Sequence, residues 1–251
     1  MFAVVASRYF LTAGLAYWVL WKTKAELFSQ RRIDQSPREP EPALRLRKQI
    51  RNEIYYSVLT CAIFALAGAA IFFAWQNGHT KIYLRISDFG WLYFFVSFWI
   101  AAFLHETYFY WAHRWMHLPR FFKHVHKIHH DSKSPTPWAA SSFHPWEALI
   151  EALILPAIVF VIPLHPAVLL ANLTLMSVFS VVNHTGYELY SRNFARHRFW
   201  RYWVSATHHQ AHHRSLRLNY GLYFTFWDHW MKTQQKDYEQ SFRASPFRTD
   251  H

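Results

Sequence analysis

Eight histidines fall into three tight clusters: His113 and His117 (H-x-x-x-H), His126, His129 and His130 (H-x-x-H-H), and His209, His212 and His213 (H-x-x-H-H). On a helix, side chains three and four apart share a face, so each cluster is expected to present its imidazoles to a single point. Imidazole is the commonest metal ligand among side chains. With 18 His in 251 residues, H-x-x-H-H should arise by chance about 0.1 times, so two copies argue for a purpose. One cluster holds too few ligands for a closed shell, but three that converge can hold two metal ions. Imidazole alone suits Zn, Cu, Fe or Ni, and the ligand set leaves that choice open. Thiolate ligation and disulfides are not expected, because the only cysteine, Cys61, sits in an apolar run.

Further candidates surround the clusters. His184 ends a long apolar stretch at the level where the clusters should meet, and is expected as a ninth ligand. Glu106, about two turns before His113, and Asp228 are candidates for the carboxylates that metal-bound imidazoles usually engage through their other nitrogen. Glu188, four residues after His184, is a candidate ligand or outer-shell group. His144 and His208 are candidate additional ligands, against ordinary roles at a turn and beside a true ligand. His124 points elsewhere on its helix, and His79, His197 and His251 read as surface or hydrogen-bonded core residues.

The elements that must position these groups are apolar. Hydrophobic residues make up 52% and aromatic residues 20% of the chain, with 13 Trp, 14 Tyr and 23 Phe. That aromatic load suits a membrane protein with interfacial belts. The mean hydropathy of -0.09 is low for one, because basic and histidine-rich stretches offset the apolar runs. The formal net charge of +12 raises nucleic-acid binding as a rival, but the basic residues sit beside apolar spans and no nucleic-acid motif accompanies them. Residues 9–21, with 2–6, form a first apolar stretch broken only by Arg8. A signal peptide is not expected, since Trp and Tyr stand where small cleavage-site residues belong. Residues 54–75 and 89–104 are uncharged and approach the roughly 20 residues that cross a bilayer. Residues 148–182 are apolar apart from Glu151 and His165 and are divided by Pro156, Pro163 and Pro166. They are expected to form a hairpin that enters and leaves on one side. The 22–53 loop is far more basic than the 76–88 loop, which places it on the cytoplasmic side, and all three clusters then emerge there. The expected fold is all-α: an integral membrane helical bundle of about three spans plus a re-entrant, proline-broken hairpin, under a cytosolic helical cap with a histidine-rich dimetal site. Residues 1–105 are expected to form the spans and basic loop, 106–240 the catalytic domain, and 241–251 a polar, loosely ordered tail.

Several stretches carry a resemblance: Tyr110 to His117 (YWAHRWMH), His126 to His130 (HKIHH), Pro135 to Ala139 (PTPWA) with Phe143, His144 and Pro145, Asn183 to Glu188 (NHTGYE), His208 to His213 (HHQAHH), Asn219 to Gly221 (NYG), and Phe226 to Asp228 (FWD). From about Glu106 to Thr233 the chain resembles the membrane fatty acid hydroxylase/sterol desaturase superfamily, and within it sterol C-5 desaturases and C-4 methylsterol oxidases. The resemblance implies an oxidase with two iron ions per chain (zinc being possible in isolated protein) that uses O2 and electrons from a separate donor, of cytochrome b5-like or ferredoxin type. It implies hydroxylation or desaturation of an unactivated C–H bond in a sterol-like, isoprenoid or fatty acyl lipid, in a bacterial inner membrane or the endoplasmic reticulum. Fatty acyl 2-hydroxylases of the superfamily place a histidine four residues after the position matching His184, where this chain has Glu188, which weakens the acyl hydroxylase reading. The basic stretch from Arg31 to Arg51 is a candidate docking surface for an acidic electron carrier, or simply an orientation signal. Trp111, Trp115, Trp138, Phe143 and Trp146 either line a lipid pocket or form an interfacial belt. Rival readings are a non-catalytic zinc-binding membrane protein and a metal transporter, although a transporter should carry ligands inside its spans.

Overall fold

In the computed structural model, described for residues 1–33 and 43–244, the chain is helical, with only isolated bridges in place of strands among those residues. Residues 34–42, which include Pro37, Arg38, Pro40 and Pro42 of the basic loop, and the end of the polar tail lie outside the described residues.

Four helices are long and apolar enough to cross a membrane: Phe2–Thr23, Leu44–Gln76, Gly90–Met116 and Pro166–Asn183. The first is α1 (Phe2–Tyr17) continued by a wider π-turn at Trp18–Thr23. The next two are α2 (Ala43–Gln76) and α3 (Gly90–Met116). No proline interrupts α3, so one rigid rod joins the membrane-embedded part of the bundle to His113. The short α4 (Pro119–Val125) and α5 (Lys127–His130) follow.

The expected hairpin is present but deeper than a shallow re-entrant loop. Its first arm is α6 (Pro145–Ala152) and α7 (Ile154–Val161), its second α8 (Pro166–Asn183). Proline opens α6 and α8, where a missing N–H costs nothing. At the tip, Leu164 N–H donates to Lys81 C=O and Tyr83 N–H to Leu164 C=O, tying it to the α2–α3 connection. That connection lies at the end of the bundle remote from the histidines, so both arms run its whole length. Ile154, Ile158, Val159, Leu164 and Val168 pack there against Ala101 and Ile71 in one apolar core.

The remaining helices are α9 (Ala206–Ser215), α10 (Phe226–Trp230) and α11 (Tyr238–Ala244). The expected start of the polar tail at residue 241 falls inside α11, where Phe242 is buried against Phe194 and Tyr238.

Candidate metal centre

Nine imidazoles collect at one end of the bundle, in two groups. His113, His117, His126, His130 and His212 form one, and His129, His184, His209 and His213 the other. The clusters do not each point to one place, as their spacing suggested. Adjacent helical residues diverge by about 100°, so His129 and His130 serve different groups, as do His212 and His213. Helices α5 and α9 each reach into both. The groups adjoin, with the His130 and His213 rings 4.6 Å apart, centroid to centroid.

Within the first group the Nε2 atoms approach to 3.0 Å (His113 to His126), 3.1 Å (His117 to His212, His126 to His130, His130 to His212) and 3.2 Å (His117 to His130). In the second, His184 Nε2 lies 3.2, 3.0 and 3.3 Å from those of His129, His209 and His213. Four outward nitrogens have acceptors. His113 Nδ1 lies 2.8 Å from Tyr220 C=O, His212 Nδ1 2.7 Å from Leu218 C=O, His184 Nδ1 2.6 Å from Ser180 C=O, and His126 Nδ1 2.8 Å from Glu147 Oε1. A donor at Nδ1 leaves an unshared pair on Nε2, so each group turns lone pairs inward upon one another. Burial lowers imidazole basicity, to about 4 at His184 and, with the His113 ring adding to it, to about 2 at His117, so protons do not fill these centres at neutral pH. The spacing suits a cation: ligands about 2.1 Å from a metal stand about 3.0 to 3.4 Å from each other. The donor set fits one metal ion per group.

The other candidates lie outside both groups. Glu106 accepts from the N–H groups of Leu222, Tyr223 and Phe224, and Asp228 from those of Tyr220 and Gly221 and from the Thr233 hydroxyl. Neither touches a histidine of either group. They clamp the backbone whose Tyr220 carbonyl orients His113, one step further out than expected. A side chain at Gly221 has no room there, because its Cβ would stand 2.3 Å from the Phe224 carbonyl oxygen. Glu188 accepts from the N–H and hydroxyl of Thr207 and the N–H of Tyr190, and so caps α9. Burial pushes its carboxyl above the usual range, and the Thr207 and Tyr190 donors pull against that. The backbone N–H of Glu188 donates to Arg31 C=O, which binds the segment that follows the first span to this corner. His144 caps α6 by accepting from Trp146 N–H, and His208 points away from the centre, its ring edge-on to Tyr238.

Glu147, not singled out from the sequence, is the carboxylate that meets a cluster imidazole. Its signal was a pair of acids four apart, Glu147 and Glu151, at the head of an apolar stretch.

A cavity of about 70 Å³ abuts both groups, walled by His113, His126, His129, His184, His209, Phe109 and Phe143. It adjoins a larger cavity of about 370 Å³ between α1, α2, α7 and α8, lined by side chains such as Ala67, Ile71, Phe72, Leu155 and Leu173. Of the expected aromatic walls only Phe143 faces this space. Trp111, Trp115 and Trp146 are exposed, as interfacial residues are, and Trp138 packs among Tyr9, Phe10 and Tyr17.

These features define a helical membrane protein whose paired histidine groups open onto an apolar cavity. The chain belongs to the fatty acid hydroxylase family, whose profile matches residues 98–233, more than half of its length. It is 33% identical over 186 residues to the lathosterol oxidase of Rattus norvegicus, covering 73% of this chain and 60% of that protein. It is 28% identical over 222 residues to the Delta(7)-sterol 5(6)-desaturase ERG3B of Gibberella zeae, covering 88% and 63%. With the Delta(7)-sterol 5(6)-desaturase ERG3 of Saccharomyces cerevisiae the identity is 30% over 186 residues, covering 73% and 48%. The chain thus spans about three fifths of the length of the first of these relatives. No solved structure matches it.

Proposed function

We propose that the chain is a membrane-bound non-haem di-iron oxidase that uses O2 to hydroxylate or desaturate a sterol-like lipid, with electrons from a separate redox protein. The observation that carries this reading is the adjacency of two all-imidazole groups to a cavity continuous with an apolar one. The kinship with sterol desaturases supports the same reading. His113, His117, His126, His130 and His212 would hold one ion, and His129, His184, His209 and His213 the other.

A pair of iron ions bound there would supply the redox chemistry with O2 that an unactivated C–H bond requires. Overall, hydroxylation consumes one O2, two electrons and two protons and yields the alcohol and one water. Desaturation consumes the same O2, two electrons and two protons, takes two hydrogens from the lipid and yields the alkene and two waters. The protein's share is placement. Glu147 and the carbonyls of Tyr220, Leu218 and Ser180 fix ring orientation, while Phe109 and Phe143 keep the chamber dry and shaped for hydrocarbon. The electron donor would approach from the histidine end, which would be the cytoplasmic one, a reading supported by the excess of basic residues in the 22–53 sequence.

Lipid extracts from cells expressing the intact chain or His129→Ala test this by mass spectrometry. A lipid that gains one oxygen or loses two hydrogens only with the intact chain is the expected result. Unchanged lipids in cells that make sterols or related polycyclic alcohols would overturn the proposal.

A further inference from the structure

The chamber and the larger cavity meet at a waist of six side chains that border both: Val5, Arg8, Phe64, His105, Glu151 and Met176. Three are ionisable, and they are the only Asp, Glu, His, Lys or Arg side chains that border the larger cavity. Arg8 belongs to α1, His105 to α3 and Glu151 to α6, so three separate elements bring these groups together. Ionisable groups at membrane depth are costly and characteristically face a cavity or pathway.

What sets Glu151 apart is its lack of a partner. Glu53 accepts from Gln49, Ser132 and Thr136. Glu106, Glu188 and Asp228 each accept three hydrogen bonds, and Glu147 meets His126. Glu151 is only half-buried, because it is open to the two cavities it borders, and among the described residues no hydrogen bond or ion pair reaches its carboxyl. The Arg8 guanidinium has none either. His105 uses Nδ1 on the Tyr223 hydroxyl at 3.1 Å, which leaves Nε2 for the cavity. Each of the other five carboxylates has at least one protein partner, and the one at the waist is left for something that enters.

We propose that Arg8, His105 and Glu151 receive the hydroxyl of a neutral lipid alcohol and thereby set which of its carbons reaches the histidine groups. The assignment rests on the oxidase reading and names positioning residues for it. A hydroxyl both donates and accepts, which matches a waist that offers an acceptor at Glu151, a donor at Arg8 and an imidazole nitrogen at His105. A free fatty acid would suit Arg8 but face Glu151, and a plain hydrocarbon would leave all three groups unpaired. Apolar pockets with a few placed polar groups owe their orientation of ligand to those groups. Arg8 lies outside the family's matched segment, residues 98–233, so this half of the waist belongs to the part of the chain where that profile is silent.

Equilibrium binding to the full-length, zinc-loaded protein in nanodiscs tests the assignment without turnover. The probes are lathosterol, its 3-O-methyl ether and the 3-deoxy hydrocarbon. The wild-type chain should bind the alcohol about tenfold more tightly than the ether. Glu151→Leu and Arg8→Met should each cut that preference to about threefold or less. Both should keep wild-type affinity for the hydrocarbon, which reports an intact fold. Retention of the full preference by both variants overturns the waist. Equal binding of alcohol and ether by the wild type also overturns it, while leaving the oxidase reading intact if lipid oxidation is seen in cells. Failure of the wild type to bind any of the three counts against both.

Discussion

At the scale of single residues, the paired groups divide labour between neighbours in sequence. His212 and His213 are adjacent but face different centres, so His212→Ala and His213→Ala should each lower the metal content of purified protein from two ions to about one. Elemental analysis checks the ratio, and Mössbauer spectra of iron-loaded protein should show a different site lost in each variant. Glu147, 2.8 Å from His126, makes a second prediction. Outer-sphere partners of metal-bound imidazoles are worth about 10- to 100-fold in metal affinity or activity, so Glu147→Ala should weaken binding by that factor, measured by competition with a chelator. Glu106→Ala, by contrast, should act through the backbone it clamps, with loss of thermal stability accompanying any loss of metal. That the histidines would gather as a possible metal site was legible in their number and spacing. Which carboxylate would meet an imidazole was not, because Glu147 is 21 residues from His126 in sequence, and only the fold brings the two within hydrogen-bond distance.

At the scale of elements, the segment from Leu218 to Phe224 is the hinge between histidine orientation and fold. Its carbonyls orient His113 and His212, while Glu106 and Asp228 hold its N–H groups. Gly221→Ala would drive its Cβ against the Phe224 carbonyl and the Glu106 carboxyl, so the variant should melt well below the wild type and release metal. Just upstream, Leu216 ends α9 in the left-handed conformation, with φ of 61°. A side chain there costs about 1 kcal/mol or more relative to glycine. Leu216→Gly should therefore raise the melting temperature in detergent by about 2–4 °C. The apolar spans and the proline-divided hairpin could be read directly from hydropathy. The depth of the hairpin could not, because it depends on Leu164 pairing with Lys81 and Tyr83, a contact between stretches that carry no mutual signal.

At the scale of the whole molecule, chemistry at one end of the bundle is joined to a lipid-sized space within it. Ala67 borders the large cavity and not the chamber at the histidines. Ala67→Phe should lower affinity for a long-tailed lipid about tenfold or more while leaving metal content at two ions, as equilibrium binding and elemental analysis would show. An equal loss of both would mean that the cavity wall supports the centre and does not merely admit substrate. The channel exists because α1, α2, α7 and α8 fail to close upon one another at small side chains such as Ala67 and Gly68. No local pattern in the sequence records that gap.

By itself the sequence determined the helical class, the apolar spans and the identity of the nine imidazoles that gather, because hydropathy, helical period and ligand chemistry are local properties of residues and their near neighbours. Tertiary structure alone decided how those imidazoles sort into two groups, that Glu147 and not Glu106 or Asp228 meets one of them, and that Arg8, His105 and Glu151 meet at a waist. Each of those outcomes depends on the relative rotation and depth of helices far apart in the chain, and packing, not sequence distance, sets both.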